Sequence, residues 1–309
     1  MRDWILFALG GAVVTALLYW GAQNIVPLAL FLNLFTPMPA AYTHMRFGTL
    51  PGGLAVLGAC VILAVFFPAT MAGGYLLQFG ILSFVIPLLL RRGIAWDRTV
   101  LLNVCAVMLV AGVLLVGFSV TQEVSPAQVI RQQADLAVAQ ALEFYDQGQF
   151  PAQDRDQFAS TLGDMADIFV RIFPALGAVI VAGLSLLTVL LLNSFSGGRY
   201  RVPGPEFAAW RSPEFLIWGV IAAGFSMLID QPLLRTVAMN LLILLLPIYF
   251  VQGMAVVNHF LKRRAVSPII RSLIYFLIFI FNPLPLVVTG VGVFDLWIDF
   301  RKPKIKKTS

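Results

Sequence analysis

"VLLNVCAVMLVAGVLLVGFSV", residues 100–120, runs for 21 residues without one charged side chain. A bilayer crossing needs about 20 mostly apolar residues, so this stretch alone reads as a membrane-spanning helix. Two others match it: Ile172–Ser196 is free of charge over 25 residues, and Thr236–His259 carries no charge either. The chain as a whole agrees, with 60% hydrophobic and 12% charged residues, where an average soluble domain carries about 25% charged. A water-soluble core of this size has no room for so much apolar side chain, so the solvent must be lipid. In lipid the backbone must satisfy itself, and the continuous apolar runs then specify helices. The fold class is all-α, a polytopic transmembrane helical bundle.

Outward from 100–120, the apolar pattern places spans at 4–21, 24–42, 49–67, 71–90, 99–120, 168–195, 214–230 and 235–258, eight in all, followed by an apolar region at 271–298 broken near its middle. The first of these lacks a strongly basic start and a small-x-small cleavage site, and further spans follow at once. It is expected to be a retained helix rather than a secretory signal. The organisation is then a five-helix N-terminal half (1–120), an acidic segment (121–167) and a C-terminal half with a basic tail (168–309).

Lysine and arginine set the orientation. Loop 91–98 carries Arg91, Arg92 and Arg98; loop 196–213 carries Arg199, Arg201 and Arg211; loop 259–271 carries Lys262, Arg263, Arg264 and Arg271. The tail adds Arg301, Lys302, Lys304, Lys306 and Lys307. All four segments are expected on the cytoplasmic side of a bacterial inner membrane, with both termini inside. For the tail to return there, the 28 residues of 271–298 must cross twice or dip in and come back. Two full crossings need ~40 residues, so two short helices are expected, about 269–281 and 286–299, hinged at "NPLPL". A thin hairpin and a re-entrant one both fit. The formal charge of +6 gathers in short loops beside apolar runs, which excludes a nucleic-acid-binding face.

Segment 121–167 differs in kind. It carries eight acids (Glu123, Asp135, Glu143, Asp146, Asp154, Asp156, Asp164, Asp167) against Arg131 and Arg155, and the threading puts it outside the cell. "SPAQ" at 125–128 starts a helix, with Ser125 as cap, Pro126 at the first helical position and Gln128 reaching back. "DQGQFPAQD" at 146–154 is a turn, and a second helix from 155 is expected to run into the span near Asp167. The object is an amphipathic helical hairpin: a solvated connector in the simpler account, a lid or docking surface in the functional one.

Polar groups inside a membrane are costly and therefore functional suspects. Asn33, Gln78, Asn103, Asn193, Asn240 and Gln252 lie in or near spans, with hydrogen bonding between helices as their simplest account. In "LNLFTPMPAAYTHMRFG" (32–48), Pro37 and Pro39 each remove a backbone donor, so the helix must kink or unwind there and face protein or water. Thr36 can satisfy one freed carbonyl, and Arg46 can snorkel to the interface. "FNPLPL" repeats the device. A Pro-x-Pro break in each half is the pattern of discontinuous helices around a midplane site, although two plain kinks explain it equally simply. The candidate substrate-binding residues are accordingly Asn33, Pro37, Pro39, Gln78, Asn240, Asn282 and Pro283. Arg46, Asp230, Asp295, Asp299 and Arg301 are structural or interface charges, the two last aspartates placed four apart on one helix face and paired with Arg301, Lys302 or a basic loop. Ala8, Ala12 and Ala16 recur every four residues, a small face for close helix contact within the bundle or with a second membrane subunit. Gly73, Gly74, Gly80, Gly177 and Gly183 are candidates of the same type. No phosphate-binding loop, zinc-protease motif or nucleophile triad is present, so no catalytic role is expected. Cys60 and Cys105 sit mid-run and read as packing residues. Two scattered histidines, His44 and His259, do not make a metal site, and no cofactor is expected.

"PMPAAYTHMRFGTLPGG", "FAAWRSPEFLIWG" and "GVGVFDLWIDFRK" resemble the bacterial YybS-like membrane family (DUF2232), across most of the chain. Such proteins look distantly similar to the substrate-binding S components of energy-coupling-factor transporters. That resemblance implies a Pro-rich second helix and an alanine-spaced first helix that meets the energising subunit, with Ala8, Ala12 and Ala16 at the matching positions. The extra spans and the acidic segment depart from it. The expected function is a small-molecule binding or transport component in the bilayer, with a membrane-embedded partner, a second copy of itself or a small-molecule ligand. The alternative is a non-transporting envelope scaffold or assembly factor acting through the acidic segment.

Overall fold

The computed structural model describes residues 2–148 and 154–302, and among them every regular element is helical. The chain divides into two compact units, Met1–Gln133 with Ile180–Gly204, and Ala134–Val179 with Pro205–Ser309.

The first unit holds α1 (Arg2–Asn24), α2 (Ala29–Phe35), α3 (Met38–Phe47), α4 (Thr49–Phe66), α5 (Ala69–Tyr75), α6 (Ile81–Arg91) and α7 (Trp96–Thr121). Helices α5 and α6 run on as one rod through a π-helical stretch, Leu76–Gly80. Ala8, Ala12 and Ala16 are 5%, 2% and 3% exposed. The Ala12 methyl lies 2.9 Å from where a Cβ on Gly58 of α4 would stand, so this face is occupied by packing inside the chain, where only small side chains allow so close an approach. Gly74 lies equally tight against the Tyr19 hydroxyl, whereas Gly73 and Gly183 meet nothing within 4 Å. Tyr19, Val56, Leu63, Tyr75 and Phe79 fill the core of this unit.

Two helices, α8 (Pro126–Gln147) and α9 (Arg155–Ser194), contribute residues to both units. The capping box at 125–128 is present: the Ser125 amide donates to Gln128 Oε1 at 2.7 Å and the Gln128 amide to Ser125 Oγ at 3.3 Å. Most of the turn expected at 146–154 (residues 149–153) lies outside the described residues, as do tail residues Lys304, Lys306 and Lys307. Its flanks are tied together by a fork from Arg155 to both Asp146 oxygens, at 2.7 and 2.9 Å, and by the stacked rings of Tyr145 and Phe158, 4.8 Å apart. Helix α9 continues unbroken for 40 residues, from polar start to apolar span.

The second unit also holds α10 (Leu216–Ser226), α11 (Pro232–Arg263), α12 (Pro268–Ile280) and α13 (Leu284–Ile298). Helices α11 and α13 cross at Gly253 and Gly292. A Cβ on Gly253 would collide with the Val288 carbonyl, and one on Gly292 with the Tyr249 carbonyl, so the two backbones touch.

By length and composition, six described helices can cross a membrane: α1, α4, the α5–α6 rod, α7, α9 and α11. The α12–α13 pair, bent by 103° at its break, makes a seventh if it counts as one span. The expected count of eight full spans is not confirmed by these helices. The helix expected at 24–42 is cut into a 3₁₀ turn (Val26–Leu28), α2 and α3. Pro27 opens the first piece, and the break at Thr36–Pro37 lets Pro39 fall in the first turn of α3, where its missing donor costs nothing. The helix expected at 214–230 keeps only the 11 residues of α10, because turns at 227–229 end it ahead of Pro232. The Pro-broken hairpin, in contrast, forms close to the expected limits. Asp299 falls just past α13, at a left-handed cap with φ 46°, so it does not share a helix face with Asp295.

Candidate functional site

Two buried polar places stand out, one in each unit. In the first unit the break between α2 and α3 is buried: Thr36 and Pro37 are enclosed and Pro39 partly so. Thr36 Oγ1 returns a bond to the Leu32 carbonyl at 2.9 Å, and Ser83 Oγ from α6 donates to the Pro37 carbonyl at 3.2 Å. Protein groups thus satisfy a backbone that lipid could not. Ser83 shares this one proton with the nearer Phe79 carbonyl, at 2.7 Å, within the π-helical stretch. Tyr19 of α1 sets its ring 5.7 Å from Tyr75 and 5.8 Å from Phe79. In the same unit Thr15 Oγ1, Asn33 Oδ1 and the Tyr75 hydroxyl are buried without a hydrogen bond of ordinary geometry to the described residues, with Ser83 the polar side chain that acts on the Tyr75 hydroxyl. Thr15 lies one turn before Tyr19, and Asn33 one turn before Pro37. Buried polar atoms normally have partners, so each of these three keeps hydrogen-bonding capacity for a polar ligand in the unit that holds the helix break and the π-helical turn.

The other candidate substrate-binding residues go elsewhere. Gln78, Asn282 and Pro283 are exposed on the surface of their units. Asn240 is half-buried and donates to the Arg171 carbonyl of α9 at 2.8 Å and to the Thr236 carbonyl at 2.9 Å, a bond between helices. Asn103 does the same, donating to Ser185 Oγ at 2.9 Å. Asp230 is 91% exposed and pairs with Arg235 at 3.1 Å.

In the second unit, the Asp295 side chain is fully buried and pairs with Arg301, whose side chain is 6% exposed. Gln252 Nε2 donates to the same carboxylate at 3.1 Å, and the Phe300 amide donates to its other oxygen at 3.2 Å. Gln252 Oε1 accepts from the Ser212 amide at 3.1 Å and from the Ser212 hydroxyl. Arg301 also donates to the carbonyls of Ala208, at 3.1 Å, and Trp210, at 2.8 Å. A buried charge pair needs its remaining donors and acceptors filled; groups from α11, the end of α13 and the loop before α10 fill both Asp295 oxygens and the two Arg301 Nη atoms, while Arg301 Nε bonds to none of the described residues. Asp299 pairs on the rim with Arg211 and with Lys302. Partial burial pushes its carboxyl up, but Lys302 and Arg211 outweigh that and hold it below the usual carboxylate range. Glu206 is held down likewise by its bond to Lys262. The network's chemistry is a clamp: every polar atom of Asp295 and Gln252 that bonds does so to the protein itself.

The sequence stretches 207–219 and 290–302 thus meet in one structure, with Arg301 reading the carbonyls of the first. A family model described as "Predicted membrane protein (DUF2232)" matches residues 12–296. The chain belongs to the DUF2232 family. Neither a curated protein nor a solved structure matches this DUF2232 protein. With its several apolar helices it is a multi-pass membrane protein.

Sequence reasoning reached Asp295 and Arg301 as a charge pair but missed Ser212 as a member of the clamp, and missed Thr15 and Tyr75 in the first unit. Ser212 gave one signal, a serine directly after Arg211 and before a helix-breaking proline. Thr15 and Tyr75 gave none, since a hydroxyl in an apolar run usually bonds to its own helix. Among the described residues no three His, Cys, Asp or Glu side chains gather as a metal-binding set.

Proposed function

We propose that this DUF2232 protein is a small-molecule binding component of the bacterial inner membrane, serving transport, and that its ligand is a small polar molecule recognised at the α2–α3 break. The observation that carries the reading is three buried groups without a hydrogen bond of ordinary geometry, Thr15 Oγ1, Asn33 Oδ1 and the Tyr75 hydroxyl, in the unit that holds the α2–α3 break. Such a site favours a neutral ligand offering both hydrogen-bond donors and acceptors, because no charged side chain belongs to the trio. With the basic loops inside, α2 and α3 together return the chain across the bilayer and α10 begins another crossing, so both termini face the cytoplasm. The alanine face of α1 is already packed on α4, so a membrane partner would dock on another surface.

The test is native mass spectrometry of protein extracted in mild detergent. A retained small molecule of fixed mass, lost in Tyr75→Phe and Asn33→Leu proteins that melt like the parent, is the expected result. Retention unchanged in both variants, or a parent protein that is always empty, would overturn the site.

A second reading is favoured by one observation. Leu136, Phe144 and Met165 are 57%, 73% and 61% exposed on the acidic hairpin. Apolar side chains among acids outside the lipid suit an assembly factor that docks another envelope protein. Loss of a specific cross-linked partner in Phe144→Ser, with ligand retention intact, would favour this reading.

A further inference from the structure

Beside the α1–α3 contact, and distinct from the trio above, an open groove of about 410 Å³ is lined by Leu6, Phe7, Gly10 and Val14 of α1 and by Pro39 and Tyr42 of α3. Its walls are mostly apolar, with Thr43 beside them, and two guanidinium groups bond to the hydroxyl of its lining residue Tyr42. Arg46 Nη1 donates to the Tyr42 hydroxyl at 3.5 Å and Arg199 Nη1 donates to the same oxygen at 3.3 Å. Arg46 also lies 4.8 Å above the rings of both Phe7 and Phe47, which are themselves 4.8 Å apart. The ring faces fix the cation but do not neutralise it. Neither arginine has an ion-pair partner among the described residues. On the far side of this aromatic ridge a second open concavity, about 450 Å³, is lined by Trp4, Phe47 and Leu50.

We infer that this is a binding site for one anionic phospholipid, its phosphate between Arg46 and Arg199 and its acyl chains straddling the Phe7–Phe47 ridge. Charge decides the occupant. Two arginines held within reach of one hydroxyl, without a carboxylate, repel each other until an anion sits between them, and planar guanidinium groups match phosphate oxygens. The ligand must also cover apolar walls that open sideways, which a free phosphate leaves bare. Basic pockets between membrane helices on the cytoplasmic side select anionic headgroups in this way, and the end of α3 lies on that side in the threading above. Tyr42 places both cations, and Gly10 forms part of the groove wall, since a Cβ there would meet nothing within 4 Å.

The test is native mass spectrometry of the full chain, delipidated and then supplied with phosphatidylglycerol, phosphatidylethanolamine of the same acyl chains, or inorganic phosphate. One phosphatidylglycerol is expected to remain through detergent washing, in preference to the zwitterionic lipid and to phosphate. Arg46→Gln and Arg199→Gln should each lower its occupancy about fivefold, the worth of one basic residue against an anionic lipid. Gly10→Leu should lower it by filling the groove without touching a charge. Arg92→Gln, an exposed charge in a neighbouring loop, should leave it unchanged. Equal retention of the two lipids, retention of phosphate alone, or loss equal in Arg92→Gln and Arg46→Gln would overturn the site. If Arg46→Gln fails to fold, Arg199→Gln and Gly10→Leu decide it, because Arg199 is exposed and Gly10 faces open space.

Discussion

Replacing Asp295 with asparagine keeps the shape of the side chain and removes one charge, so its effect isolates the buried clamp. The carboxylate is fully buried, and its partner Arg301 is 6% exposed. After the change the guanidinium keeps its bonds to the Ala208 and Trp210 carbonyls but loses its only counter-charge among the described residues. Removing one partner of a buried ion pair costs about 3–5 kcal/mol, because the other is left as an uncompensated charge. At about 2–4 °C per kcal/mol for a unit of this size, the melting temperature should fall by roughly 6–20 °C. The companion Asp299→Asn is the internal control. Its partners Arg211 and Lys302 are 48% and 78% exposed on their side chains, and asparagine accepts the left-handed conformation found there. Solvent screening limits that loss to about 0–1 kcal/mol. The assay is thermal unfolding in one detergent, followed by tryptophan fluorescence. Adding Arg301→Gln to Asp295→Asn should recover part of the loss, since the pair is then neutral on both sides, and a double-mutant cycle should report a coupling of about 0.5–3 kcal/mol. Equal destabilisation by Asp295→Asn and Asp299→Asn, or a coupling of zero, would refute the reasoning.

Other outcomes follow from the same geometry. Gly292→Ala should push α13 off α11, because its new methyl meets the Tyr249 carbonyl; loss of a cysteine cross-link between α11 and α13 would register it, and an unchanged cross-link would count against the backbone contact. Ala12→Leu overpacks the α1–α4 seam and should destabilise the isolated chain by about 1–3 kcal/mol in thermal unfolding, whereas a free docking face would tolerate it without loss. The acidic hairpin is closed by Arg155, whose bond holds the Asp146 carboxyl below the usual range. Stability linked to a lowered carboxyl is complete above the unfolded value near 4 and is lost as pH falls through the folded one. Spin labels at Gln140 and Ser160 should therefore keep one distance from about pH 8 to 5 and spread only below about pH 4; spreading at neutral pH would rule the fork out as the tie.

The sequence by itself determined the solvent and some of the places where helices stop. Charge-free runs such as 100–120 leave lipid as the only medium, and the paired prolines made the breaks at Thr36–Pro37 and Pro283 legible, as was the cap at Ser125, whereas the single prolines Pro87, Pro174 and Pro247 stand inside helices that run on through them. Local chemistry misjudged length at 24–42 and 214–230, where apolar composition continued past the turns that end the helices. Only the tertiary structure decided which polar groups meet. Ser212 and Gln252 lie on segments far from each other and from the local pair Asp295 and Arg301, and no spacing rule connects the three. It also decided that Ala8, Ala12 and Ala16 pack on α4 and that Gly253 and Gly292 carry the tightest crossing. A small residue records that something comes close, but the identity of the neighbour is a property of the packed chain.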